Sequence, residues 1–168
     1  MLIALNACGS DGSDAGTAGS ASIAEGNIES TASDYAYLDV PSQLRVGSSL
    51  SLVNDSEVEA HELVAVRLPD DESRSTAELG RLPPEELGPL LAEPRMATLA
   101  APNAPGMTVV GDGTLNEPGR YALICLIPTG ADPDEYLAAA AASDGPPQVD
   151  GGPPHTVEGM FAEITVVE

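Results

Sequence analysis

Apolar residues in this 168-residue chain come in short runs, and nearly every run is closed by Pro, Gly, Asn or Asp. Seventeen glycines and 15 prolines punctuate the chain too often for long helices, because Pro removes a helical donor and Gly costs backbone entropy. The runs at 35–40, 49–54, 61–68, 107–110, 120–126 and 160–167 read as β-strands. Several short strands separated by turn residues predict an all-β sandwich or barrel. With 42% apolar residues the chain has enough material for one core, although a single Phe and no Trp limit how bulky that core can be.

Two segments interrupt the strand pattern and are expected as helical or loop insertions, at about 69–105 and 127–154. In the first, 83–92 reads as a short helix with prolines and acids near its start. In the second, Asp132 is placed to cap a helix, Pro133 suits its first turn, and the alanines up to Ala142 propagate it. The strand beginning at His61 is apolar on both faces, with Leu63 and Ala65 on one and Val64, Val66 and Leu68 on the other. Such a strand is covered on both sides, so the insertion after Leu68 is expected over its second face.

Charge excludes some partners. Six Arg and no Lys stand against 27 acidic residues, for a formal net charge of -21. That field repels nucleic-acid phosphates and anionic headgroups. A basic redox partner could dock on such a surface; adaptation of the surface for solubility is the simpler reading. No apolar run reaches the roughly 18 residues of a membrane span. At the N-terminus Leu5-Asn6-Ala7-Cys8 resembles a bacterial lipobox, in which the Cys is lipidated after signal cleavage. Residues 1–8 are accordingly expected to be the remnant of a signal peptide, shortened because the start is set downstream of the true one. Residues 9–33, poor in large apolar side chains, are expected to be a disordered linker, leaving 34–168 as the folded domain in an extracytoplasmic, lipid-anchored monomer.

If Cys8 carries lipid, Cys125 is a lone thiol in an exported protein and calls for a metal, a reaction or deep burial. His61, Cys125, His155 and Met160 stand at strand ends, each in phase with the apolar face of its strand. Two imidazoles, a thiolate and a weak thioether are the donors of a type 1 copper site, where soft sulfur favours Cu(I) and imidazole serves both oxidation states.

Three ordered motifs carry a resemblance to the cupredoxins. Asn54 followed by Ala60-His61-Glu62-Leu63-Val64 resembles the strand that donates the first His. Pro118-Gly119-Arg120-Tyr121 leading to Cys125 is similar to the penultimate strand, and His155 with Met160 resembles the closing His-x4-Met motif. The resemblance implies a cupredoxin-like Greek-key β-sandwich with one type 1 copper ion at one end, held by His61, Cys125, His155 and Met160, and acting as a single-electron carrier toward a redox partner rather than as an enzyme. Two departures bear on the metal. Residues 126–154 separate Cys125 from His155, where the family uses a loop of a few residues. Glu62 also replaces the Asn common after the first His, and its carboxylate either faces water or places charge near the metal. A copper-free binding or structural module of the same fold, and copper capture or delivery, are the competing readings. A thiol hydrolase lacks an activating environment around Cys125, and zinc rarely recruits a thioether.

Overall fold

Alternating burial along Ser48–Asn54, with Ser48, Leu50, Leu52 and Asn54 buried, shows how a two-residue period becomes a sheet face. The computed structural model describes residues 22–142 and 145–168. Cys8 and residues 9–21 therefore lie outside the described residues. In chain order the elements are β1 (Asn27–Ser33), β2 (Ala36–Leu38), β3 (Gln43–Arg45), β4 (Ser48–Asn54), β5 (His61–Arg67), α1 (Thr76–Leu79), α2 (Pro84–Leu91), β6 (Pro94–Ala100), β7 (Met107–Val110), β8 (Thr114–Leu115), β9 (Gly119–Ile124), α3 (Pro133–Ala142) and β10 (Phe161–Val167). One sheet has the order β2-β1-β4-β8 and the other β3-β10-β9-β5-β6-β7. Leu50, Leu52 and Leu115 of the first meet Leu63, Met96, Leu123 and Ile164 of the second in one core. The architecture is the expected all-β sandwich.

The three strands that matter most lie side by side, in the order β10-β9-β5. Antiparallel pairing of β5 with β9 places Val64 opposite Ile124, and that of β10 with β9 places Phe161 opposite Ile124. The start of β5, the end of β9 and the start of β10 consequently share one end of the sheet. The phases read from the sequence hold. Leu63, Ala65, Leu123 and Cys125 face the inter-sheet core, while Val64, Val66, Leu68, Ala122 and Ile124 form a second cluster on the outer face. As expected, the insertion after Leu68 covers that face, through Leu79, Leu82, Leu87, Leu90 and Leu91. Arg120 straps it down by donating to the carbonyls of Glu72 and Arg74 and pairing with Glu163 at 2.9 Å, and the Thr76 hydroxyl donates to the same Glu163 carboxylate at 3.0 Å.

Two boundaries need correction. The linker expected over 9–33 ends sooner, because β1 occupies Asn27–Ser33, pairs in parallel with β4 and buries Ser30 and Ala32. Backbone pairing lets small, polar side chains fill an inner position without large apolar groups. The insertion expected over 69–105 also holds more than helix and loop. After α1, capped reciprocally by Ser75 and Glu78, and α2, it contains β6, which pairs with β5 and buries Met96 through Ala100. In the second insertion α3 matches the sequence reading, with the Glu135 amide donating to the Asp132 carboxylate at 2.9 Å.

Candidate metal centre

Backbone pairing across the 126–154 excursion brings Cys125 and His155 together. Pro128 bridges to Pro154, the Thr129 amide donates to the Pro153 carbonyl at 2.9 Å, and the Gly152 amide donates to the Thr129 carbonyl at 2.8 Å. The His155 amide then reaches the Ile127 carbonyl at 3.0 Å and the Thr156 amide the Cys125 carbonyl at 3.0 Å. The neck is thus closed like a hairpin, and the rest of the loop no longer sets the distance between the two residues. Loop-closure entropy grows only slowly with length, so a paired neck offsets it.

At the shared sheet end, His61 Nδ1 lies 3.2 Å from His155 Nδ1, and Cys125 Sγ lies 3.4 Å from His155 Nδ1. The donor atoms of the three residues all fall within 4.8 Å of one another. All three side chains and Met160 are 0% exposed. Met160 joins the same turn, its amide donating to the His155 carbonyl at 3.0 Å and its carbonyl accepting from the Cys125 amide at 3.4 Å. The structure therefore gathers His61, Cys125 and His155 into one cluster and seats Met160 near it in the core.

Burial governs the electrostatics. It depresses the His61 imidazole to about 4, assisted by the neighbouring His155 and opposed by Glu59. His155 is lowered by burial too, with Glu59 opposing. Burial and the Glu62 charge push the Cys125 thiol up, against hydrogen bonds from the Glu62 and Ile127 amides. Without a metal the cluster is therefore two neutral rings and a thiol. A cation that replaces the thiol proton removes the reason for that upward shift.

The residues fit such a cation. Two nitrogens bound to one first-row metal at about 2.0–2.1 Å stand roughly 3.1–3.5 Å apart at near-tetrahedral to trigonal angles, and the two Nδ1 atoms are 3.2 Å apart. Coordination through Nδ1 moves each ring proton to Nε2, and His155 Nε2 lies 3.6 Å from Glu59 Oε2, both buried atoms without a hydrogen-bond partner. A carboxylate behind a ligating imidazole fixes its tautomer and raises its basicity. With two imidazoles and one thiol gathered, and Met160 buried nearby, His61, Cys125 and His155 fit one type 1 copper ion.

Around the cluster stand three further residues: Asn54 and Glu62, which belong to the first-His motif of the sequence, and Tyr35, which no sequence signal singles out. The half-buried Tyr35 sets its ring against His155, centroids 4.8 Å apart, and donates its hydroxyl to Glu59 at 3.0 Å. Fully buried Asn54 donates to the carbonyls of Glu59 at 2.8 Å and Ala101 at 3.1 Å and accepts from the Ser56 amide at 2.9 Å, fixing the segment that delivers Glu59 and His61. Of the two arrangements expected for Glu62 the structure has the second, with its charge beside the Cys125 thiol and its carboxylate held by the protein. Its amide donates to Cys125 Sγ at 3.4 Å, while its carboxylate accepts from the Leu126 amide at 2.9 Å and the Tyr136 hydroxyl at 3.3 Å. Burial raises its pKa, and those two bonds oppose the rise. The carboxylate thereby ties α3 and the neck of the excursion to the strand that carries His61.

No family model matches the chain, and no curated protein matches it. Among solved structures it is similar in shape to sodium-dithionite-reduced auracyanin from the photosynthetic bacterium Roseiflexus castenholzii, at 21% identity over 86% of this chain and 99% of that one, with a TM-score of 0.46. Auracyanin A, titled a "blue" copper protein from the green thermophilic photosynthetic bacterium Chloroflexus aurantiacus, is 18% identical over 86% of this chain and 100% of that one, TM-score 0.41. Reduced rusticyanin is 13% identical over 84% of this chain and 78% of that one, TM-score 0.42.

Proposed function

We propose that this protein is a mononuclear copper protein that carries single electrons, anchored outside the cytoplasm by lipid on Cys8. The observation that carries the reading is the convergence of His61, Cys125 and His155, fully buried and within 4.8 Å of one another, beside a buried Met160. Copper bound there supplies a one-electron Cu(I)/Cu(II) couple. The protein does the rest. Cys125 holds the ion as a thiolate that receives amide hydrogen bonds, the depressed imidazoles stay neutral and available as ligands, and the closed neck keeps donor positions fixed while the charge changes. Small reorganisation of that kind suits a carrier.

Support for the anchor comes from the Leu5-Asn6-Ala7-Cys8 sequence and the following stretch of Gly, Ser, Ala, Thr and Asp. No described helix is long and apolar enough to cross a membrane. A basic redox partner would suit the acidic surface.

Alternate addition of one equivalent of reductant and oxidant to the copper-loaded protein tests the carrier role. Full, repeated recovery of the oxidised spectrum is expected. Loss of copper to an apo-acceptor on reduction, with no electron returned, would instead mark capture and delivery. Cell fractionation checks the anchor: wild type is expected with membranes and Cys8→Ser in the soluble fraction.

A further inference from the structure

Between the buried donors and solvent stands a turn whose sequence is wrong for its shape. Ser33 pairs with Ala36, so Asp34 and Tyr35 form a two-residue hairpin turn with φ of 37° and 65°. Turns with two left-handed residues favour Asn-Gly or Asp-Gly because a side chain at the second position is strained there. Asp34 fits that preference, yet Tyr stands where Gly is ordinarily placed. Strain kept at a single residue points to what its side chain does.

The Tyr35 ring meets His155 edge to face, 4.8 Å between centroids at 68°, and lies 6.4 Å from His61 at 89°. Its hydroxyl donates to Glu59 Oε1 at 3.0 Å, and the same oxygen accepts the Gly130 amide at 3.2 Å. Glu59 Oε2 faces His155 Nε2 at 3.6 Å. One side chain therefore leans on both imidazoles and is latched, through Glu59, to the neck of the excursion. Tyr35 itself is half-buried while both imidazoles are 0% exposed.

We propose that Tyr35 is the cover of the metal site: its ring holds His155 in place and keeps water and exchanging metal ions from the donors, and the Asp34–Tyr35 turn must move for copper to enter. The cover deepens the copper reading and rests on it for the identity of the ion, though not for access to Cys125.

Alkylation of Cys125 by iodoacetamide in the metal-free full chain, followed by peptide-resolved mass spectrometry to separate it from Cys8, measures that access without copper. Tyr35→Gly relieves the turn, so its melting temperature is expected to hold or rise while Cys125 alkylation accelerates at least about tenfold through local opening. Tyr35→Phe keeps the ring and loses only the latch to Glu59, for an acceleration of about threefold. Cu(II) uptake is expected to accelerate in the same order. An unchanged alkylation rate in folded Tyr35→Gly overturns the proposal, and if that variant does not fold, an unchanged rate in Tyr35→Phe does so. Alkylation in the expected order with no copper taken up by any of the proteins upholds the cover and removes the copper reading. Copper uptake by wild type with unchanged alkylation in the variants removes the cover alone.

Discussion

Single residues at this site act mainly by holding others. Asn54 is the clearest case, since its side chain bonds Glu59, Ala101 and the Ser56 amide from a fully buried position. Asn54→Ala strands those backbone groups, and a buried unsatisfied group costs about 1–3 kcal/mol. The metal-free protein is expected to lose about 2–4 kcal/mol in a denaturant titration, with the midpoint moving and the slope unchanged. Met160 separates packing from ligation. Met160→Leu conserves volume and is expected to cost less than about 1.5 kcal/mol. In the copper-loaded protein it replaces a weak donor by hydrocarbon, which disfavours the more highly charged ion, so the reduction potential measured by redox titration is expected to rise. The four ligand candidates were legible from the sequence because His and Cys are scarce and stand in phase with apolar strand faces. Tyr35 and Glu59 were not, for a Tyr in an apolar run and a Glu among 27 acidic residues carry no mark of their own; only the turn and the folded neck bring them to the imidazoles.

Elements divide into those with a side-chain pattern and those made by pairing. Six strand regions announced themselves through apolar runs, and α3 through its cap. β1 did not, since NIESTAS buries Ser30 and Ala32 and offers Ile28 as its one large apolar residue. β6 did not either: it opens on Pro and carries Met, Ala and Leu, whose intrinsic preference is helical, and its place between β5 and β7 overrides that preference. The closed neck of the 126–154 excursion carried no sequence mark either, because the Pro128–Pro154 bridge is a long-range pairing with no local signal. The helical insertion has its own fastening in Arg120, Glu163 and Thr76. Hydrogen bonding from Arg120 holds the Glu163 carboxylate below its usual range, with Thr76 assisting and burial opposing. A depressed carboxylate contributes stability that is present above its unfolded value near 4.5 and lost as pH falls through the lower folded value. Glu163→Gln is therefore expected to lower the melting temperature at neutral pH, and to lose that difference from wild type in acid below about pH 4.

At the scale of the whole molecule the formal charge of -21 decides encounter rather than fold. Exposed charges steer ions of opposite sign, and salt screens them over about 8 Å at physiological ionic strength. Stopped-flow oxidation of the reduced copper protein by a cationic cobalt(III) complex is expected to slow steeply as salt is added, whereas oxidation by an anionic hexacyanoferrate is expected to speed up. Equal salt responses would place the acidic surface away from the route of electron exchange. The same surface lies over an architecture that separates two duties: one face of the six-stranded sheet is sealed by the helices after Leu68, and the end shared by β5, β9 and β10 gathers the donors.

All of this turns on whether His61, Cys125, His155 and Met160 bind copper as a set. Optical titration of the metal-free protein with Cu(II), alongside Cys125→Ser, tests it most directly. Saturation at one equivalent with an intense visible copper–thiolate band, absent in Cys125→Ser, is the expected result. A colourless protein that holds no stoichiometric copper would contradict the account.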